Sequence, residues 1–324
     1  MPARPPLVEL RALPAPAKIN LFLHVTGRRA DGYHLLETVF QLIDFADELD
    51  LARRVDGRIE MATPTPGVPP EHDLTVRAAR LLARESGTAL GVRICLRKRI
   101  PMGAGLGGGS SDAATVLLGL NRLWELDWPL ERLAQLGLAL GADVPVFVRG
   151  NNAWATGVGE RLTPLELPAR SYLLAAPAQA VPTAAVFSAP ELTRNTPPLK
   201  IDSLSQAWPD ASVRNDLQAV VERRYPRVAQ ALAVLKQASG EAGIDPSLVR
   251  MSGSGSSLFV PLPEHAAGAA VLARLPRGRA RAGMRVRVVR SLPGHPLRDW
   301  ASGRLDGTPP VTGNTDSAAG SRAG

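Results

Sequence analysis

Alternating apolar and polar positions predict the first β-strands of the chain. Over residues 17–25, every second side chain is apolar, which is typical of a strand with one buried face. Two polar side chains, Lys18 and Asn20, share the opposite face of this strand, because strand side chains alternate. Further strands are predicted from the same kind of pattern over 38–43, 92–100, 154–158, 172–176, 258–262 and 285–289.

Helical spacing of apolar residues appears in four other segments. It predicts helices over 73–86, with Asp73 as the N-cap, and over 111–124, 130–140 and 216–237, the last interrupted near Pro226. The proline-rich stretches 63–70 and 177–198 are expected to be irregular. The elements mix without a regular βαβ rhythm, which favours an α+β fold with two subdomains.

The expected domain organisation follows from these elements and from composition. An N-terminal domain is predicted over 1–165 and a C-terminal domain over 166–295. The remaining segment, 296–324, is predicted to be a disordered tail, because residues 301–324 contain 17 Gly, Ala, Ser, Thr or Pro among 24.

Composition excludes several classes of protein. With 324 residues, of which 45% are hydrophobic and 21% charged, the chain can bury one large core or two medium ones. The chain has a single cysteine, Cys95, so it cannot form an internal disulfide. The protein therefore does not need an oxidising compartment. No run of eighteen apolar residues and no signal-peptide pattern is present, so we expect a cytoplasmic protein without a membrane segment. The charge of +8 rests on 34 Arg against four Lys, which makes each lysine worth inspection.

The strongest local motif is a glycine-rich segment between a predicted strand and a predicted helix. Residues 101–112 contain five glycines within seven positions, followed by Ser110 and Ser111. Glycine lets backbone N–H groups approach phosphate oxygens, and a helix N-terminus adds unpaired donors and partial positive charge. A Walker loop is excluded because no Gly-Lys-Ser/Thr triplet ends the segment. A Rossmann loop fits the glycines but not the following elements, and an ordinary capped turn remains the plain alternative.

The glycine-rich segment resembles the ATP-binding loop of the GHMP kinases, a family of small-molecule kinases. Further stretches resemble, in order along the chain, the members that phosphorylate a cytidine-containing alcohol: residues 16–23, 27–34, 140–148, 182–197 and 252–255. The resemblance implies a two-lobed α+β fold with the active site in the cleft between an N-terminal ATP-binding lobe and a C-terminal lobe. It also implies transfer of the γ-phosphate of ATP, with Mg²⁺, to the 2-hydroxyl of 4-diphosphocytidyl-2-C-methyl-D-erythritol in the non-mevalonate route to isoprenoid precursors.

Two residues are expected to carry the chemistry. By resemblance, Asp143 is the general base that takes the hydroxyl proton, and Lys18 is its cationic partner. A lysine on an otherwise apolar strand can also stabilise charge that develops on the attacking oxygen. The plain alternatives are a turn-capping aspartate and a strand-edge lysine.

Binding residues are expected around this pair. The resemblance implies nucleotide contacts from the glycine loop and from Asp73, although Asp73 stands where the family typically has asparagine and a helix cap is the plain alternative. Lys98, which precedes the loop, is a further candidate for the adenine site, with a solvent-facing strand residue as the alternative. The hydroxyl of Ser110 or Ser111 is the candidate Mg²⁺ ligand, beside ATP oxygens and water. Substrate contacts are expected from Asn20, Thr183, Gly253 and Ser254, and cytidine contacts from Tyr33, His34 and Phe187. The loop residues are Pro101, Met102, Gly103, Ala104, Gly105, Leu106, Gly107, Gly108, Gly109, Ser110 and Ser111.

Two alternatives stay open at this point. Another GHMP kinase, acting on mevalonate or homoserine, keeps the fold and changes the acceptor. A basic nucleic-acid-binding protein is suggested by six arginines between Arg277 and Arg290, but no aromatic residues interleave with them. The expected partner is a small molecule, without nucleic acid or membrane, and the chain is expected to be a monomer or a homodimer.

Overall fold

The computed structural model describes residues 8–199, 213–276 and 283–302. It contains a six-stranded sheet in the N-terminal lobe, built on the long antiparallel pair β1 and β2. β4 and β5 pair with the other edge of β2, β3 runs parallel to β4, and β6 pairs with β5. The bounds are β1 Glu9–Arg28, β2 His34–Arg54, β3 Ile59–Met61, β4 Gly91–Arg97, β5 Ala153–Thr156 and β6 Arg161–Pro164.

Four helices cover the N-terminal sheet: α1 Leu74–Ser86, α2 Gly108–Leu123, α3 Leu130–Leu138 and α4 Val144–Arg149. α2 is buried along almost its whole length, and Leu117 and Phe147 belong to the core that joins the helices to the sheet. The predicted cap of α1 is confirmed, because the Asp73 side chain accepts a hydrogen bond from Thr75 N at 2.9 Å.

The C-terminal lobe is a four-stranded antiparallel sheet in the order β10-β7-β9-β8, with helices packed against it. The predicted helix break is confirmed, since Pro226 is the first residue of α7 and needs no donor there. The bounds are β7 Ser171–Ala176, α5 Thr183–Phe187, α6 Gln218–Arg224, α7 Pro226–Glu241, β8 Arg250–Met251, β9 Leu258–Leu262, α8 Ala267–Arg274 and β10 Arg285–Arg290.

A third apolar cluster lies where the lobes meet. It joins Ile19 and Leu106 of the N-terminal lobe to Tyr172 and Phe259 of the C-terminal sheet. The buried Tyr172 hydroxyl donates to Gln41 Oε1 at 2.5 Å, so the phenol is satisfied across the junction. The two lobes therefore share a continuous packed contact on one side of the space between them.

The end of the described chain returns to the N-terminal lobe. After β10, His295 N donates to Gly150 O at 2.7 Å, and Leu297 and Trp300 enter the N-terminal core. A 3-10 helix spans Arg298–Ser302. Ordered structure thus continues past residue 296, where the disordered tail was predicted to begin, because an apolar pair anchors it. Residues 303–324 lie outside the described residues.

Other differences from the predicted elements have local causes. β1 begins at Glu9 rather than near residue 17. Its first half was not predicted as a strand because it contains Pro14 and Pro16. The pairing with β2 shifts register between Pro16 and Ala17. β4 ends at Arg97, whereas the predicted strand continued to residue 100. The stretch 177–198, which was predicted to be irregular, contains the short helix α5. The predicted division near residue 165 falls between β6 and β7.

The strand predicted over 285–289 is confirmed as β10, in which Arg285 and Arg290 are exposed. The Arg287 guanidinium lies 3.8 Å from the centre of the Phe45 ring. Arg277, Arg279 and Arg281 lie outside the described residues. Within the described ranges, no helix is long and apolar enough to cross a membrane.

Candidate active site

A cleft of about 460 Å³ lies between the lobes, beside their packed junction. Its N-terminal wall is formed by β1, β2, the glycine loop and the segment before α4, and its C-terminal wall by α5 and the loop before β9. The structure brings most of the predicted site residues together here: Lys18, Asn20, Lys98, residues 101–110, Asp143, Thr183, Phe187, Gly253 and Ser254.

A lysine and an aspartate face each other on the N-terminal wall. Lys18 Nζ lies 3.4 Å from Asp143 Oδ2, and the two side chains are 4% and 33% exposed. Asp143 directly precedes α4, and its carboxylate makes no capping bond to that helix. The Asp143 carboxylate is therefore not used to cap α4. It lies beside a buried cation and is open to the cleft, as a proton acceptor must be.

A chain of hydrogen bonds fixes the lysine. Lys18 Nζ donates to Asn20 Oδ1 at 2.6 Å, Asn20 Nδ2 donates to Thr38 Oγ1 at 2.8 Å, and Thr38 Oγ1 donates to Phe22 O at 2.5 Å. The ammonium also lies 5.1 Å from the centre of the Phe40 ring. Because Asn20 orients its oxygen toward the lysine, its role in the structure is to position Lys18 as well as to line the cleft.

The glycine loop carries the chain into α2 with its backbone facing the cleft. Gly107 is the N-cap of α2 and has a φ of 69°, in the left-handed region that favours glycine. A Cβ there would lie 2.9 Å from Phe147 Cζ and 3.2 Å from Lys18 Cε. The first N–H groups of this long helix have no acceptor within the helix, so they are available to an anion in the cleft.

A second loop, residues 252–257, packs against the glycine loop. Ser252 Oγ donates to Gly105 O at 2.9 Å and accepts from Asn20 N at 3.1 Å, and Ser257 N donates to Ala104 O at 3.0 Å. Asn215 Nδ2 donates to Gly253 O at 2.7 Å and supports this loop from behind. Both loops and β1 therefore form one hydrogen-bonded unit.

Replacing Gly105 with alanine is expected to destabilise the protein by roughly 2 kcal/mol and to weaken ATP binding. Gly105 has a φ of 73°, and a Cβ would lie 2.1 Å from the backbone oxygen of Ser252, so the two loops must separate. Thermal unfolding and the KM for ATP measure the two effects. Gly67→Ala is the matched control, because Gly67 has the same φ of 73° with open space around it. Equal losses in both variants would contradict the role of the loop contact.

The two predicted serine ligands differ in position. Ser110 lines the cleft, whereas Ser111 is fully buried and its Oγ has no hydrogen-bond partner among the described residues. Of the two hydroxyls, that of Ser110 is therefore the one that can reach a bound phosphate or metal ion without rearrangement of α2.

Lys98 lies at the back of the cleft in a buried cluster of charges. Its Nζ is 2.5 Å from Asp47 Oδ2 and 2.6 Å from Asp112 Oδ2. Burial by itself lowers the pKa of Lys98, but Asp112 and Asp47 outweigh it and the pKa is raised. Burial raises the pKa of Asp112, against the opposing effect of Lys98. The ammonium of Lys98 thus links β2, through Asp47, to α2, through Asp112.

Asp73 lies beside a side cavity of about 230 Å³ that also borders Lys98 and Gly103. Its Oδ1 accepts from Thr75 N at 2.9 Å, and its Oδ2 accepts from Thr65 Oγ1 at 2.6 Å. Both carboxylate oxygens of Asp73 therefore have partners within the protein. The role of Asp73 as the N-cap of α1 explains its position without a ligand. The cavity lies next to the glycine loop, since Met102, Gly103 and Gly109 also border it.

The three residues predicted to contact cytidine are not placed alike. Phe187 lines the cleft, and the buried His34 lies against it with ring centres 5.2 Å apart. Tyr33 is 65% exposed and its ring lies outside the cleft. Thr183 Oγ1 and Ser254 Oγ are 2.7 Å apart, and they join α5 to the second loop at the same wall.

Several residues of the site were missed by sequence reasoning. Thr38 and Phe40 on β2 support Lys18, Asn215 supports the second loop, and Asp47 and Asp112 hold Lys98. Asp112 was visible as the last residue of the glycine motif. The others reach the site through strand pairing or loop packing, which no local pattern reveals.

Comparisons with known proteins agree with this geometry. Residues 73–151 match the GHMP kinases N terminal domain, and residues 189–279 match the GHMP kinases C terminal. A 4-diphosphocytidyl-2-C-methyl-D-erythritol kinase of Nitrosospira multiformis is 53% identical over 288 residues, which cover 89% of this chain and 93% of the relative.

Solved structures give the same picture. The crystal structure of a 4-(cytidine 5'-diphospho)-2C-methyl-D-erythritol kinase superposes with a TM-score of 0.71 at 36% identity, covering 87% of this chain and 98% of that one. The homoserine kinase of Cytophaga hutchinsonii superposes with a TM-score of 0.61 at 18% identity, covering 91% and 97%, and shares the fold. The two-lobed α+β expectation is confirmed. The chain belongs to the GHMP kinase family of small-molecule kinases, in its 4-diphosphocytidyl-2-C-methyl-D-erythritol kinase branch.

Proposed function

We propose that this protein transfers the γ-phosphate of ATP to the 2-hydroxyl of 4-diphosphocytidyl-2-C-methyl-D-erythritol, giving the 2-phosphate and ADP. The observation that carries the proposal is the Lys18–Asp143 pair, with Nζ and Oδ2 3.4 Å apart, in a cleft bordered by a helix-opening glycine loop. The names of the relatives supply the acceptor. The branch thus places the reaction in the non-mevalonate route to isoprenoid precursors.

In the proposed reaction, Asp143 accepts the proton of the acceptor hydroxyl as the hydroxyl oxygen bonds to the γ-phosphorus. The bond between that phosphorus and the β,γ-bridging oxygen breaks, and ADP leaves with its electron pair. Lys18 keeps the Asp143 carboxylate in place and stabilises negative charge on the attacking oxygen. Burial of Lys18 strengthens this effect, because the ammonium is poorly screened by water.

The phosphates of ATP are assigned to the glycine loop, residues 101–111, and the N-terminus of α2. The site also fits Mg²⁺, because this ion is mostly held by phosphates and water and the Ser110 hydroxyl lines the cleft at the start of α2. Ser110 would supply a protein ligand, and the ion would neutralise phosphate charge when bound. The side cavity near Asp73 and Lys98 is assigned to adenine.

The acceptor is assigned to the opposite end of the cleft. Asn20, Thr183, Gly253 and Ser254 would contact its polar groups, and His34 and Phe187 its cytosine ring. Tyr33 would reach the ring only by turning inward from its exposed position. A small-molecule acceptor agrees with the cleft volume of about 460 Å³.

ADP release by purified protein with ATP, Mg²⁺ and 4-diphosphocytidyl-2-C-methyl-D-erythritol tests the proposal. We expect acceptor-dependent turnover and a product phosphorylated at the 2-hydroxyl by ³¹P NMR. Mevalonate and homoserine are assayed in parallel. Turnover with either of these and none with the cytidine compound would overturn the assigned acceptor, and ATP binding without any turnover would overturn the kinase assignment of the cleft.

A further inference from the structure

One arginine of the C-terminal lobe, Arg194, contacts both residues that are assigned to the cytosine ring: the imidazole of His34 and the backbone oxygen of Phe187. Arg194 Nε donates to His34 Nε2 at 3.0 Å. Its Nη2 donates to Phe187 O at 3.1 Å and to Ala189 O at 2.7 Å, and its Nη1 donates to Leu192 O at 3.0 Å. The guanidinium of Arg194 therefore binds the backbone oxygens at the C-terminal end of α5 and the first residue of β2, His34.

The hydrogen bond from Arg194 determines the protonation of His34. A guanidinium has donors and no acceptor, and it stays charged at any ordinary pH. Nε2 of His34 must therefore offer a lone pair, which places the single ring proton of the neutral imidazole on Nδ1. Burial, Arg194 and Arg28 all lower the pKa of His34, in agreement with a neutral ring.

The same contacts set the position of the ring. His34 packs on Phe187 with ring centres 5.2 Å apart and an interplanar angle of 36°. Phe187 lines the cleft, and its carbonyl is held by the guanidinium that also binds His34. His34 does not itself line the cleft; within the described residues its Nδ1 has no hydrogen-bond partner, which leaves this N–H for a ligand that packs against Phe187.

We propose that Arg194 is a positioning residue for acceptor recognition, which fixes His34 as the Nδ1-protonated neutral imidazole and holds it beside Phe187. The inference rests on the proposed function, because it assigns these two rings to the cytosine of the acceptor. Cytosine presents hydrogen-bond acceptors at O2 and N3, which a fixed N–H donor complements. The other tautomer would present a lone pair and would repel them.

The tautomer can be measured without substrate. In ¹⁵N NMR spectra of the full-length protein at pH 7.5, His34 is expected to show a protonated Nδ1 and an unprotonated Nε2. In Arg194→Met the ring should populate both tautomers. Arg224→Met is the matched control, because Arg224 also ties α5 and its following turn, through Glu191 and Ala185 O, without touching His34. A proton on Nε2 in the unmodified protein, or an unchanged tautomer in Arg194→Met, would overturn the proposal.

Kinetics give the second readout. Arg194→Met is expected to raise the KM for the cytidine acceptor about tenfold or more, with kcat and the KM for ATP nearly unchanged, because ground-state binding is lost. Between pH 7 and 6 this KM should fall back toward that of the unmodified protein, because His34 without Arg194 regains a pKa nearer ~6.5 and the charged ring carries a proton on Nδ1 again. Equal KM values for Arg194→Met and Arg224→Met would contradict the positioning role.

A double substitution separates positioning from simple support of the fold. In an His34→Asn background, Arg194→Met should add little to the KM, because its partner is already missing. If Arg194→Met does not fold, the tautomer measured in the unmodified protein still tests the proposal. If the unmodified protein shows the expected tautomer but no turnover of the cytidine compound, the proposed function fails while the Arg194–His34 pairing stands.

Discussion

Replacing Asp143 with asparagine is expected to lower kcat by about 10²–10⁴-fold, with little change in protein stability. The asparagine side chain has the same shape and cannot accept the hydroxyl proton. The Asp143 carboxylate makes no capping bond and is one-third exposed, at 33%, so the fold does not depend on its charge. Steady-state ADP release gives kcat, and thermal unfolding confirms that the variant is folded.

Asp127→Asn is a matched control for this substitution. Asp127 is exposed, is not among the residues that line the cleft, and has a φ of 52°, which asparagine tolerates well. Its kcat should equal that of the unmodified protein. If Asp143→Asn retained kcat within about fivefold, Asp143 would not be the general base, because proton transfer contributes more than this.

Replacing Lys18 with methionine is the second substitution with a large expected effect. It keeps the length of the side chain and removes the charge 3.4 Å from Asp143, so kcat should fall about 10²–10³-fold. The melting temperature should change by only a few degrees, because an uncharged side chain suits a site where the lysine is 4% exposed. A large loss of activity in a stable protein distinguishes catalysis from structural support.

Lys236→Met provides the same chemical change away from the cleft, on α7 of the C-terminal lobe. It should leave kcat unchanged. A Lys18→Met variant with normal kcat would show that the ammonium does not act on the reacting atoms. A variant that melts far below the unmodified protein would instead assign Lys18 to the support of β1.

The sequence was informative where chemistry is local. The glycine loop, the cap at Asp73 and the break at Pro226 all depend on neighbours within a few residues, and each was found. The two-lobed fold came from a resemblance, because periodicity alone indicated only an α+β protein. Lys18 stood out because a charge on an apolar strand is costly unless it has a partner.

The remaining features depend on contacts between distant segments. The hydrogen bonds from Arg194 to His34 and from Asn215 to Gly253 cross between elements whose pairing cannot be read from one sequence. The same holds for β1, whose prolines hide its first half. α4, a six-residue apolar segment with a proline, gives no helical period, although it is the element that places Asp143.

The return of residues 291–302 to the N-terminal lobe has a consequence for the order of folding. Leu297 and Trp300 complete a core whose other members come from residues before 156. During synthesis, that core is completed only when nearly the whole chain has left the ribosome, shortly after β10 (Arg285–Arg290) can complete the C-terminal sheet. The N-terminal lobe is therefore not finished as an independent first domain, and both lobes are completed at the end of synthesis.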